Sequence, residues 1–206
     1  MNEKGIITVI SGFSGAGKGT VVNGLVTRYG YALSISATTR APRTGEKEGV
    51  HYFFKTKEQF EKMIADGELM EYAPYVDNYY GTPKEYVMQQ RDQGKDVLLE
   101  IEMQGALKIK KDFPDVSLVF ISPPDVKVLR ERLEGRGTES QDVIEKRLRR
   151  AAEECLYMDE YDYIVINDNL DDCVEQIHRL IQSIHLERRN QQGHIQKMKE
   201  SFAENI

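Results

Sequence analysis

The sequence predicts an α/β fold: a parallel sheet core flanked by helices, with a strand-rich insertion and a helical lid. Three observations carry this. Apolar runs at 6–10, 96–102, 116–122 and 163–167 have strand length and are separated by helix-like patterns. Strands that alternate with helices build a parallel sheet covered on both faces. Residues 36–82 break that rhythm with a turn-rich, basic stretch and a pair of tyrosine-bearing strand patterns, while 126–157 crowd arginines onto two helical patterns. The expected division is a core of 1–35, 83–125 and 158–206, an insertion of 36–82 and a lid of 126–157.

Composition bounds the function. A chain of 206 residues buries a substantial core. With 40% hydrophobic and 30% charged residues it is ordinary for a globular protein. A formal net charge of −6 supplies no global field for nucleic acid. Cys155 and Cys173 lack metal or redox spacing and read as small core residues in a reducing compartment. No apolar run reaches membrane-spanning length, and the run after Met1 is too short for a signal peptide. A cytoplasmic protein without nucleic-acid or membrane partners is expected.

Taken in order, the strand from Ile6 to Ile10 runs into Gly12-Phe13-Ser14-Gly15-Ala16-Gly17-Lys18-Gly19-Thr20, and a helix pattern follows to Tyr29 with Gly30 as its cap. Strand, glycine-rich loop, helix is the context of a phosphate loop. Glycines let the backbone aim its N–H groups inward, the helix N-terminus adds positive potential, and Lys18 adds a point charge. Gly19 stands where a hydroxyl residue is usual, so the hydroxyl comes one place later, at Thr20.

A short strand is expected over Ala32–Ser36 and another over His51–Phe54. Thr56-Lys57-Glu58-Gln59 is a capping box for a helix that ends near Gly67. Leu69–Asp77 and Asn78–Gly81 form a hairpin pattern. Thr82-Pro83-Lys84-Glu85 reads as an N-cap and first turn, with Thr82 the cap. A buried strand at 96–102, a helix from Met103, a strand at 116–122 and a short helix from Pro124 to Leu133 follow. Thr138 with Gln141 fits a second capping box for the longer lid helix. After the strand Tyr163–Asn167, a helix from Leu170 carries Val174, Ile177, Leu180, Ile181 and Ile184 as its apolar stripe, and the polar residues past Arg189 read as a frayed tail.

Several separated motifs together resemble the guanylate kinases, P-loop NTPase-type enzymes of the nucleoside monophosphate kinase group. They are Ser14 to Thr20, Ser36-Ala37-Thr38-Thr39-Arg40-Ala41-Pro42-Arg43, Asn78 to Thr82, Glu100-Ile101-Glu102-Met103-Gln104-Gly105, Arg132 to Thr138 and Ile166-Asn167-Asp168. The resemblance spans about Ile6 to Ile184. It implies Mg²⁺-dependent transfer of the γ-phosphoryl group of ATP to GMP, with dGMP as a second acceptor, by a monomer or homodimer.

The resemblance also implies roles. Ser14, Gly15, Ala16, Gly17, Lys18, Gly19 and Thr20 would bind ATP, with Asn167 near its adenine. Thr20 and Glu100 would serve Mg²⁺, chiefly through water; pairing of Glu100 with a core cation is the alternative. Arg40, Arg43, Tyr52 and Tyr80 would hold the GMP phosphate, since guanidiniums bind a dianion bidentately. Glu71 and Glu102 would accept from guanine N1–H and N2–H₂, with Ser36 and Thr82 as hydroxyl partners; Glu102 stands where many relatives carry aspartate. Lys18, Arg43, Arg132, Arg136 and Arg147 would be the catalytic cations. Arg130, Arg149 and Arg150 fall outside the motifs and read as solvated or structural. Two other readings stay open: a different P-loop kinase such as an adenylate kinase, and a protein-binding module that shares this fold.

Overall fold

The computed structural model describes residues 4–75, 77–135 and 140–206, Tyr75 by its backbone only. The chain opens with β1 (Ile7–Gly12), α1 (Lys18–Tyr29), β2 (Ala32–Leu33), β3 (Ala37–Thr38), β4 (Phe53–Phe54) and α2 (Lys57–Ala65). It continues through β5 (Leu69–Tyr75), β6 (Asn78–Pro83), α3 (Lys84–Asp92), β7 (Val97–Glu100), α4 (Met103–Asp112) and β8 (Ser117–Ser122). It closes with α5 (Val126–Glu134), α6 (Gln141–Cys155), β9 (Tyr163–Ile166), α7 (Leu170–His185) and α8 (Gln192–Asn205).

Five strands form one parallel sheet in the order β2-β7-β1-β8-β9. Central β1 puts Val9 between Leu99 of β7 and Leu118 of β8. Successive side chains on a strand point to opposite faces. In β1 and β8 the first five residues are buried, as are the first three of β7, so both faces of this sheet are covered. Helix α1 buries Val21, Val22 and Leu25 in the same core as Cys173, Val174, Ile177 and Ile181 of α7. Each such side chain contributes roughly 1.5–3 kcal/mol when fully buried. Gly24 lets the two helices close up: a Cβ there would sit 2.8 Å from Val174 Cγ2. The consequence for function is a rigid α1, whose N-terminus opens at the carboxyl ends of the strands, where open α/β sheets bind ligands.

The second sheet, β4-β3-β6-β5, is drawn entirely from residues 37–83. Its β5–β6 hairpin pairs Tyr72 with Gly81 and Ala73 with Tyr80, and turns at Asp77, whose φ is 61°. The capping box of α2 is present in both directions: Thr56 Oγ1 accepts from Gln59 N at 3.2 Å, and Gln59 Oε1 accepts from Thr56 N at 2.9 Å. Phe60 on that helix is fully buried and stacks on Tyr79 at 5.4 Å.

Four local expectations change. Thr82 does not cap α3; the cap position is Pro83, no side chain caps it, and Thr82 is a residue of β6. Its hydroxyl is engaged elsewhere, by a buried carboxylate. The strand expected over 96–102 stops at Glu100, because Glu102 takes the N-cap position of α4. The strand expected over Ala32–Ser36 shortens to β2, and a separate strand, β3, follows it in the other sheet. The polar stretch past Arg189 is a helix, α8, which buries none of its side chains. The Thr138 cap lies outside the described residues, and Ser140 holds the N-cap position of α6.

Candidate active site

The loop between β1 and α1 folds as its glycines demand. Gly15 and Gly17 have φ of 97° and 90°, a left-handed conformation that other residues rarely adopt. A Cβ on Gly15 would meet Leu133 Cδ2 at 2.9 Å, and one on Gly17 would meet Asn167 Nδ2 at 2.6 Å. Gly17 caps α1, so the first N–H groups of that helix open toward the loop. Ala16 is buried, and its N–H donates to Phe13 O at 3.0 Å. Asn167, buried behind the loop, donates its side-chain amide to Ala16 O at 2.8 Å. That contact makes Asn167 a support of the loop itself. Lys18 Nζ curls back to Gly12 O at 2.8 Å and Phe13 O at 3.1 Å.

Glu100 ends β7 beside this loop: a Cβ on Gly19 would lie 3.5 Å from Glu100 Oε1. Partial burial pushes the Glu100 carboxyl up, and the Lys18 ammonium pulls it down. Thr20 is exposed one helical position after Gly19. These are oxygen donors, as Mg²⁺ requires. Among the described residues no group of three or more His, Cys, Asp or Glu could hold a metal. One carboxylate and a hydroxyl, completed by phosphates and water, is how Mg²⁺ binds where no all-protein cage exists.

Side chains of α5 and α6 reach the loop. Arg147 Nη1 donates to Ser14 Oγ at 2.5 Å. Arg132 Nη2 lies 3.4 Å from Asp168 O, while its Nη1 is buried with no hydrogen-bond partner among the described residues. A buried guanidinium N–H left unpaired is costly, and an anion would satisfy it. Arg136 lies outside the described residues.

The second sheet gathers most of the residues expected to hold GMP. Arg40 stands 5.4 Å from the centre of the Tyr52 ring, and Tyr52 and Tyr80 meet edge to face at 6.1 Å. Arg40 binds Glu46 bidentately, Nη2 to Oε1 at 2.8 Å and Nη1 to Oε2 at 3.0 Å. The backbone N–H of Arg43 donates to Glu46 Oε2 at 2.7 Å. Those two partners, Arg40 first, push the Glu46 carboxyl down to about 2. The Arg43 side chain is exposed, and Ser36 is half-buried at the start of β3.

Glu71, only 6% exposed, accepts from the Thr82 hydroxyl at 2.7 Å. Burial pushes its carboxyl up, against the pull of Thr82 and Lys108. Gly105 of α4 makes room for it: a Cβ there would be 3.0 Å from Glu71 Oε2. Glu102 sits on the surface and pairs with Arg150 of the lid. So Arg40, Tyr52 and Tyr80 are brought together, as are Glu71 and Thr82, while Glu102 meets α6.

Sequence reasoning missed Glu46, Glu154 and the use of Arg150. Glu46 lies three residues after Arg43 in a basic turn, a spacing at which a carboxylate folds back onto a backbone N–H. Glu154 was legible only as a polar residue four places after Arg150, one helical turn away on the same face.

Comparison with known proteins follows this geometry. The family model described as guanylate kinase matches residues 4–184. A guanylate kinase from Shouchella clausii (strain KSM-K16) is 51% identical over 187 residues, covering 90% of this chain and 91% of that one. One from Streptococcus thermophilus (strain CNRZ 1066) is 47% identical over 200 residues, covering 96% of each. The crystal structure of guanylate kinase from Anaplasma phagocytophilum superposes with a TM-score of 0.71 at 32% identity, covering 90% of this chain and 89% of that one. Matches of this identity that run through the loop, the second sheet and the lid alike identify the chain as a member of the guanylate kinase family, enzymes that transfer the γ-phosphoryl group of ATP to GMP.

Proposed function

We propose how this chain divides that reaction among its residues. The loop N–H groups from Ser14 to Thr20, with Lys18, hold the outer phosphates of ATP. Glu100 and Thr20 serve Mg²⁺, Glu100 through water. When bound, the ion neutralises charge on the phosphates. Arg40, Arg43, Tyr52 and Tyr80 hold the phosphate of GMP. Glu71 and Glu102 accept from guanine N–H groups, and Ser36 and Thr82 are their hydroxyl partners. Lys18, Arg43, Arg132, Arg136 and Arg147 surround the moving phosphoryl group with positive charge, which is most of what such a transfer asks of a protein. No general base is needed, because the attacking phosphate oxygen is already ionised. The insertion 36–82 and the lid 126–157 would close over the core and exclude water. The absence of a membrane-spanning helix among the described residues and two unpaired cysteines fit a cytoplasmic enzyme.

The buried Glu71–Thr82 pair carries the choice of guanine. Adenine has an acceptor at position 1 and a donor at position 6, the reverse of guanine, and would leave this pair facing the wrong groups. ADP formation should be measured with Mg²⁺-ATP and GMP, AMP, UMP or CMP in turn. Turnover with GMP alone is expected. Turnover with AMP would discard the reading of Glu71 and Glu102, and binding of a phosphopeptide with no turnover would favour a binding module.

A further inference from the structure

Arg150 is a lid residue outside every motif, yet it joins two carboxylates of different origin. Its Nε donates to Glu154 Oε1 at 3.0 Å, one turn along α6, and its Nη2 donates to Glu102 Oε2 on the core. The side chain of Glu154 is 11% exposed, that of Glu102 69%. Glu154 therefore anchors the guanidinium, and the guanidinium steers the more mobile carboxylate. Burial pushes the Glu154 carboxyl up, while Arg150 and then Lys18 pull it down.

We propose that Arg150 is a specificity-determining positioning residue: held by Glu154, it fixes the carboxylate of Glu102 in the orientation that reads guanine. The proposal rests on the reading of Glu102 as a guanine acceptor. A glutamate here has one more rotatable bond than an aspartate, and so more rotamer entropy to lose on binding. A planar guanidinium that takes Oε2 removes much of that freedom before the nucleotide arrives and leaves Oε1 to accept from the base. Lysine at 150 would keep the charge, but its ammonium lacks the flat fork that spans two carboxylates.

The test is steady-state kinetics of Arg150→Ala, Arg150→Lys and Glu102→Ala, singly and as Arg150→Ala with Glu102→Ala. Acceptors are GMP and IMP, which lacks the 2-amino group. Arg150→Ala is expected to raise KM for GMP about tenfold, with KM for ATP changed less than about twofold. The preference for GMP over IMP should shrink by a similar factor, Arg150→Lys should fall between, and Arg150→Ala should add nothing once Glu102 is alanine. If Glu102→Ala leaves the GMP/IMP preference intact, the guanine role of Glu102 is wrong and the proposal goes with it. If Glu102→Ala abolishes the preference but Arg150→Ala and Arg150→Lys do not move it, the positioning role alone is overturned. A rise confined to KM for ATP would also overturn it. Should Arg150→Ala fail to fold, Arg150→Lys against Glu102→Ala decides the question by the same ratio.

Discussion

The two halves of the proposed active site satisfy most of their charges in different ways. On the donor side, Lys18 is held by the carbonyls of Gly12 and Phe13, and Asn167 by the carbonyl of Ala16. On the acceptor side, the charged groups rest on side chains: Arg40 on Glu46, Glu71 on Thr82, Glu102 on Arg150. A main-chain cradle keeps its shape when a side chain is removed. A side-chain pair does not, because each partner positions the other. The donor site should therefore separate activity from stability cleanly, whereas acceptor-site changes should alter affinity and local order together.

Lys18→Ala is the most severe test of this contrast. Turnover should fall at least about a thousandfold, since an oriented charge at the transferring group is lost. Stability should fall by about 2 kcal/mol at most, because the hydrogen bonds to the Gly12 and Phe13 carbonyls are only partly buried and the loop's own backbone stays in place. Paired thermal melts and initial rates would decide it. A large loss of Tm would mean that the lysine, and not the backbone, holds the loop.

Glu71→Gln comes next. The amide oxygen still accepts from Thr82, but its NH₂ now faces the guanine donors, so KM for GMP should rise about ten- to a hundredfold. The pH dependence follows from burial, which raises the folded-state pKa above the ordinary 4.5. Above the raised value the buried charge costs stability; as pH falls through it the folded state takes up a proton more readily than the unfolded one, and that cost is relieved. Guanine recognition runs the other way, since the accepting carboxylate is lost over the same window. Wild-type KM for GMP should therefore climb on acidification with a midpoint above 4.5, and Glu71→Gln should lack that limb. Its Tm at neutral pH should not fall, because the substitution removes a buried charge.

The same contrast explains what could be read before the structure. The donor loop is contiguous, and its geometry is written in glycines that have few other uses. The parallel sheet announces itself through apolar runs of strand length. The proposed acceptor site is assembled from around β3, from β6, the start of β5 and the start of α4, and no local pattern says which pairs meet. Thr82 shows the difficulty. Next to Pro83 it has the form of a helix cap, but the hairpin places it in β6, where its hydroxyl donates to buried Glu71 instead of accepting from the first turn of α3. Arg150 was illegible for a related reason: a cation on a helix rich in arginines looks solvated until the fold brings Glu102 to it. The C-terminal helix α8 was missed although Ile195, Met198 and Phe202 recur at helical spacing, because that stripe is short, set among polar residues and buries no side chain.

Glu46→Gln probes the acceptor site most gently, and the sign of its effect is informative. Two forces oppose each other there. The carboxylate competes with a phosphate dianion for the Arg40 guanidinium, so its removal should favour GMP. It also bends residues 40–46 into place by holding both Arg40 and the backbone N–H of Arg43, so its loss should loosen the arm that carries the phosphate ligands. A guanidinium has five N–H donors; Glu46 takes two of them and the Ala41 carbonyl a third. The dianion can bind the remainder without displacing it, which makes ordering the stronger effect. KM for GMP should rise about two- to fivefold with kcat nearly unchanged. With the Glu46 carboxyl at about 2, this contribution is present above the ordinary glutamate range and lost only as pH falls from about 4.5 toward 2. It cannot produce the acid limb assigned to Glu71. A fall in KM instead of a rise would show that the carboxylate occupies the phosphate's place, and that the acceptor site is held closed by its own side chains until GMP displaces them.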